Sequence, residues 1–292
     1  MLHRRRVALA LLERLGGAAH NLDFEKLLFL LCQEQSRPSY HFVPYKYGCF
    51  SFESYADKRA LTRDGLLADD DKHWVLAAGA AGTQPASESD RDNIDRVASR
   101  FGHLHGNALV RHVYTSFPYF AINSTIASRV LTRDELRRVR DCRPKVGGAR
   151  LLTIGYEGRD VDQYLNELVS AGVQVLCDVR RNAYSMKYGF SQAQLAASVR
   201  AMGMQYVHLP RLGIDGSKRR SLASAEDYRI LFDEYEKTTL VAAEADVACI
   251  AHLLGDGRVV ALTCFERDPS FCHRSRVARA VLRQTHSQLT EL

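Results

Sequence analysis

A mainly helical unit followed by an α/β unit with a mostly parallel sheet flanked by helices is the fold class this sequence predicts. Three observations carry it. The chain has 292 residues, and single hydrophobic cores usually stop growing before that length. The apolar rhythm is helical in the first half, then turns into short apolar strands alternating with helices. Between the two, Arg143-Pro-Lys-Val-Gly-Gly-Ala-Arg150 holds a proline and paired glycines with no apolar pattern, the composition of a linker. The expected division is therefore residues 1–142, a linker over 143–150, and residues 151–292.

In the first half, residues 4–16 and 22–35 place Val7, Leu11, Leu12 and Leu15, then Phe24, Leu27, Leu28 and Leu31, at helical spacing. Asn21 suits the N-cap of the second helix, and Ser51 caps a third over Phe52 to Arg63. The aromatic segment 40–51 separates them. Residues 69–77, after Asp64-Gly-Leu-Leu, read as a short hairpin. Three helices followed by a hairpin is the order of a winged helix-turn-helix. Residues 78–90 form a loop, helices follow near 91–102 and 104–116, and Thr132-Arg-Asp-Glu135 is a capping box opening a last basic helix.

The second half predicts strands at Leu151–Ile154, Val173–Val179, Gln205–Leu209 and Arg258–Cys264, helices over 161–171, 191–202 and 272–283, and a mainly helical stretch over 225–254. Alternation of this kind implies right-handed βαβ units. Ligands of such sheets bind beyond the C-terminal ends of the strands.

Composition narrows the class. The chain is 46% hydrophobic and 25% charged, as ordinary globular proteins are. No apolar run reaches the roughly 18 residues of a membrane helix. The arginine-rich start is interrupted by Glu13 and Arg14, so an amphipathic first helix is expected rather than a leader. Seven cysteines lie without a CxxC pair, which fits a reducing compartment, and a cytoplasmic location is expected. Cys32, Cys177 and Cys249 have apolar neighbours and are expected in cores. Of the net charge of +6, residues 1–149 contribute five, with 22 Lys and Arg against 17 Asp and Glu. That surplus is compatible with nucleic-acid contact.

Four polar motifs each follow an expected strand. They are Thr153-Ile-Gly-Tyr-Glu-Gly158, then Asp178-Val-Arg-Arg-Asn-Ala-Tyr-Ser-Met-Lys-Tyr-Gly-Phe-Ser191, then Tyr206-Val-His-Leu-Pro-Arg-Leu-Gly213, and Leu262-Thr-Cys-Phe-Glu-Arg-Asp-Pro-Ser-Phe-Cys-His-Arg-Ser275. In this order they resemble the family catalogued as Domain of Unknown Function 488. The resemblance runs through Gly155, Glu157, Asp178, Arg180, Ser185, Phe190, His208, Gly213, Cys264, Glu266, Cys272, His273 and Arg274. Ala183 stands where that family usually has proline. The likeness implies the fold and one site, and it implies no reaction. More weakly, Phe24-Glu-Lys-Leu-Leu-Phe-Leu, Tyr45-Lys-Tyr-Gly-Cys-Phe-Ser51 and Tyr114-Thr-Ser-Phe-Pro-Tyr-Phe-Ala resemble the Panacea antitoxin-like domain. That resemblance implies an adaptor or regulator with a protein partner.

The residue types point to several chemistries. Glu157, Glu266, Cys272, His273 and His208 are the candidate catalytic groups. Tyr156, Asp178, Arg180, Ser185, Lys187, Phe190 and Arg274 are the candidate substrate contacts. Glu157 and Glu266 follow different strands and are expected to face each other over one pocket, one of them activating water. Arg180, Arg181, Lys187 and Arg274 suit a phosphate, or Arg180 and Arg274 pair with Asp178. Tyr184, Tyr188 and Phe190 beside them suit a stacked base, or lid packing. Lys218-Arg-Arg220 suits a nucleic-acid backbone or a solvated face. Cys272 is expected to open the last helix, where the dipole lowers a thiol pKa. Cys264, Glu266, Cys272 and His273 are acceptable metal ligands, but their spacing matches no common zinc pattern, so no metal or cofactor is expected. Asp178-Val-Arg resembles rhodanese-type sulfurtransferases, although Cys272-His-Arg-Ser does not supply their cysteine loop. The reading is a hydrolytic enzyme, glycosidic in one form, acting on a nucleotide or nucleic-acid base. The first half would deliver it to DNA or a protein partner, in an antiviral or DNA-modification setting. A non-catalytic sensor of modified nucleic acid or a nucleotide signal is the alternative, and a thiol-dependent sulfurtransferase is the third.

Overall fold

The computed structural model describes all residues except 81–86, 146, 220, 221, 223 and 286, so part of the 78–90 loop, one linker residue and Arg220 lie outside the described residues. The chain divides into two units, Met1–Arg143 and Pro144–Leu292.

The first unit is mainly helical. Its elements are α1 (His3–Arg14), β1 (Ala18–His20), α2 (Asn21–Glu34), β2 (Val43–Tyr45), β3 (Gly48–Phe50), α3 (Phe52–Arg63), β4 (His73–Val75), α4 (Glu88–Phe101), α5 (Gly106–Ser116), α6 (Ala127–Val130) and α7 (Arg133–Asp141). Ser51 Oγ accepts the Ser54 amide N–H and caps α3 as its position predicts. The Thr132–Glu135 capping box closes in both directions on α7. On α2 the cap shifts by one residue: His20 Nδ1 accepts from the Leu22 amide, while Asn21 donates its side chain to the Asp71 carbonyl at 2.6 Å. The expected hairpin over 69–77 closes through one bridge, Leu67 to Leu76, and β4 turns its other edge to β1, antiparallel. A second antiparallel pair, β2 with β3, sits in the aromatic segment. Two of the basic residues of α1 share one acid: buried Asp57 accepts from Arg4 Nε at 2.6 Å and Arg5 Nε at 2.7 Å.

The second unit is a five-stranded sheet. Its elements are β5 (Arg150–Gly155), α8 (Val161–Ser170), β6 (Val175–Asp178), α9 (Gln192–Ala201), β7 (Gln205–His208), α10 (Ala225–Lys237), α11 (Thr239–Ala242), α12 (Glu244–Gly255), β8 (Val259–Cys264), α13 (Arg274–Gln284) and β9 (Gln288–Glu291). The order is β7-β6-β8-β5-β9, and every pairing is parallel. β5, β6 and β8 are buried along nearly their whole length, which is why they read as continuous apolar runs. Their residues alternate between two faces. Leu151, Val175, Cys177, Val260 and Leu262 pack with Phe232, Tyr235, Val247, Ile250, Val277 and Val281 from α10, α12 and α13. On the other face Tyr164 of α8 donates its hydroxyl to Thr263 Oγ1 at 2.7 Å.

The mainly helical stretch 225–254 consists of three helices, with breaks at Thr238 and Ala243. Two local expectations change. The last four-residue strand, β9, was not expected. Its residues are all exposed, so no apolar alternation marks it. Cys249 is exposed on α12 instead of lying in the core, while Cys32 and Cys177 are buried. Among the described residues, no single helix is long and apolar enough to cross a membrane.

Candidate functional site at the C-terminal strand ends

β6 and β8 are neighbours, with β5 beside β8, so the loops leaving their C-terminal ends meet. The β5 loop stays on the β8 loop: the Tyr156 amide donates to the Cys264 carbonyl and the Glu157 amide to the Phe265 carbonyl. Gly155 permits this approach, since a Cβ there would lie 1.8 Å from the Glu266 carbonyl oxygen. Gly213 does the same for the β7 loop, where a Cβ would lie 2.0 Å from the Arg181 amide nitrogen.

A buried ion pair frames one wall. Asp178, fully buried at the end of β6, takes Arg180 Nε at 2.8 Å, Arg180 Nη2 at 2.5 Å and the Tyr206 hydroxyl at 2.7 Å. Arg180 Nη1 donates to the Tyr156 hydroxyl at 3.0 Å and the Phe190 carbonyl at 2.9 Å. Burial opposes the Arg180 charge, but the hydrogen bonds and charge of Asp178 outweigh it and hold the pKa above the ordinary value. The Tyr156 ring stacks on Phe190, centroids 4.3 Å apart, and the Arg180 guanidinium sits 5.2 Å from its centre. Lys187 Nζ donates to the Tyr156 carbonyl, and Ser185 Oγ accepts the Lys187 amide. His208 bonds through Nε2 to the Arg180 carbonyl at 2.8 Å. A carbonyl only accepts, so that nitrogen carries hydrogen.

The opposite wall is built from β8 and the turn into α13. Cys264 Sγ donates to Glu266 Oε2 at 3.2 Å and lies 3.8 Å from His273 Nδ1. His273 Nε2 donates to the Val179 carbonyl at 3.0 Å, fixing the ring with Nδ1 toward the sulfur. Cys272 lies behind this pair, fully buried. Burial first, then the Cys264 thiol, push its pKa well above the ordinary value. The lowering expected of a helix N-terminus is thus reversed. α13 begins at Arg274 with His273 as its cap residue, and the thiol faces apolar surroundings instead of water.

Between the walls lies a cavity of about 530 Å³. Tyr156, Arg180, Glu266 and His273 line it. Cys264, Arg181, Asn182, Tyr184, Phe265 and Asp215 line it as well; the sequence singles out Arg181 for a phosphate, Tyr184 for a stacked base and Cys264 as an acceptable metal ligand, but not Asn182, Phe265 or Asp215. Tyr184 and Phe265 are 71% and 45% exposed. For large aromatics on a cavity rim that exposure is the signal sequence reading lacks, because a strand end does not reveal which side chains stay uncovered.

The expected pairing of Glu157 with Glu266 across one pocket does not occur. Glu157 is exposed and accepts the Arg267 amide N–H at 3.0 Å. Arg274, 1% exposed, grips the same loop from inside through the Glu266 and Arg267 carbonyls. Both residues position Glu266 and neither lines the cavity. Asp178, Phe190, Ser185, Lys187 and His208 support the walls. Arg181 pairs loosely with Asp215 at 3.4 Å and stays half-exposed. Lys218 pairs with Glu234 at 2.7 Å on the surface.

No curated protein and no solved structure matches the chain. The profile of the family described as Domain of unknown function DUF488 matches residues 160–281, which span the loops after β6, β7 and β8. The stretch that is similar to the DUF488 family thus includes the cavity-lining Arg180, Cys264, Glu266 and His273.

Proposed function

We propose that the α/β unit is a hydrolase acting on a nucleotide or a nucleic-acid base, with Glu266 as the group that activates water. One observation carries the reading. A single cavity combines two exposed aromatic rims, a half-exposed arginine and a carboxylate beside an imidazole. Tyr184 and Phe265 offer π-faces to a flat base, worth about 1–3 kcal/mol per stacked base. Arg181 offers a bidentate fork to a phosphate or sugar hydroxyl. Glu266 accepts a proton from water in the cavity, and His273 stays oriented by the Val179 carbonyl. A glycosidic or phosphoester bond held between the aromatics and Glu266 would be the one broken. The basic surplus of residues 1–149 supports delivery to nucleic acid, consistent with a DNA-modification or antiviral setting.

The test is turnover of nucleosides, nucleotides and single-stranded oligonucleotides, with and without modified bases, by wild type and Glu266→Gln. Release of base or phosphate by wild type and its loss in the variant is the expected result. Tight binding with no turnover of any of them would replace hydrolysis by a sensor role. The sulfurtransferase reading is weakened by the burial of Cys272 and of Cys264, which is 4% exposed.

A further inference from the structure

We propose that Cys264, Cys272 and His273 bind a zinc-class divalent cation, with Glu266 facing its open coordination position. Among the described residues, these three form the one group of His, Cys or acidic side chains with metal-binding proximity, their donor atoms all within 4.8 Å of one another. A tetrahedral zinc ion with bonds of about 2.3 Å to sulfur and about 2.0 Å to nitrogen separates a sulfur and a nitrogen ligand by roughly 3.5 Å. Cys264 Sγ and His273 Nδ1 stand 3.8 Å apart, so closure onto an ion needs only a few tenths of an ångström there.

Three further features fit a cation. Ligating histidines donate their other ring nitrogen to a carbonyl or carboxylate, which fixes the ring, and His273 Nε2 does so to Val179. The donors stand on stiff elements. Cys264 ends β8, which is paired on both sides, and the Cys272 carbonyl accepts the Ser275 hydroxyl at 2.8 Å. Charge also balances. Two thiols lose two protons on binding a divalent ion, so the buried cluster is neutral before and after, and no net charge is buried. Cys264, His273 and Glu266 line the cavity while Cys272 lies behind them. An ion held there would present its fourth position to the cavity, where Glu266 Oε2 lies 3.2 Å from Cys264 Sγ. A water on the ion would lose a proton to that carboxylate and leave a metal-bound hydroxide.

Metal binding itself goes beyond the hydrolytic reading. Only the water-activating role rests on that reading. The experiment uses the full chain, purified, stripped by chelation and titrated with Zn²⁺ and Co²⁺. About one ion per chain is expected, together with tetrahedral cobalt absorption and a thiolate-to-cobalt charge-transfer band. Cys264→Ser and His273→Ala should lose the ion, with folding checked by circular dichroism. Glu266→Gln should keep both the ion and the spectrum, because it does not supply a ligand. Failure of wild type to retain zinc or to develop the cobalt bands overturns the site. So does a Cys264–Cys272 disulfide in freshly purified protein. Nucleotide hydrolysis by the chelated, metal-free protein would overturn the role in catalysis and leave the hydrolase reading standing.

Discussion

Asp178→Asn isolates what the buried ion pair contributes. The change keeps the side chain's shape but removes its charge and points an amide at Arg180, which is itself only 5% exposed. Arg180 Nε and Nη2 lose their carboxylate, and only neutral acceptors remain: the single amide oxygen of the new side chain, the Tyr156 hydroxyl and the Phe190 carbonyl. Leaving one partner of a buried pair uncompensated costs about 3–5 kcal/mol. At roughly 2–4 °C per kcal/mol for a unit of this size, the melting transition should fall by about 6–20 °C. Thermal unfolding followed by circular dichroism measures it. Arg180→Met in the same chain removes the orphaned charge and should return most of the loss, since apolar replacement of a whole buried pair is often neutral. A single variant that melts within about 2 °C of wild type, or a double variant no better than the single, would refute the claim that this pair stiffens the cavity wall.

Glu266→Gln should melt within about 2 °C of wild type, because its side chain is partly exposed, yet lose nearly all turnover. A comparable loss of stability would assign Glu266 to structure. In the helical unit, burial raises the Glu25 pKa from 4.5 to about 7. The unfolded chain ionises first, so stability should fall as pH rises from 4.5 to 7 and level off above, by about 3 kcal/mol. Urea unfolding followed by fluorescence of Trp74, the only tryptophan and fully buried in this unit, should show that fall in wild type and not in Glu25→Gln. If the basic surplus contacts nucleic acid, affinity for duplex DNA should drop by more than about tenfold between 50 and 200 mM salt. Binding indifferent to salt would point to a protein partner instead.

What the sequence made legible follows from how each feature is encoded. The three central strands, β5, β6 and β8, are buried apolar runs and announce themselves, and so do capped helices such as α3 and α7. β9 has no buried residue and is held by backbone pairing with β5, which leaves no trace in side-chain pattern. The site motifs were visible because polar residues cluster directly after apolar strands. Their division of labour was not. Glu157 and Arg274 carry the same charge types as Glu266 and Arg181, yet one pair secures a loop and the other reaches the cavity. Only the path of the loop decides that. The metal candidates were visible as residue types, but their convergence was hidden for a similar reason. Cys264 ends a strand and Cys272 precedes a helix, and the loop between them folds back, so the spacing follows no short motif while the donor atoms still meet.

The balance of charge around the cavity bears on which end of a substrate it recognises. Arg180, the most prominent cation in the motifs, is neutralised by Asp178 and faces the cavity mainly as the edge of a stacked Tyr156–Arg180 wall. Arg181 is shared with Asp215. Glu266 adds a carboxylate to the same space. A polyphosphate would meet about as much negative as positive charge there, and like charges across a low-dielectric cavity repel. A flat, weakly charged group meets no such penalty and gains the exposed faces of Tyr184 and Phe265. On the proposed reading the base is therefore the anchored end, and the sugar and its phosphate extend toward Arg181 and the rim. The bond presented to Glu266 is then one close to the base, which favours the glycosidic form of the hydrolysis over the phosphoester form.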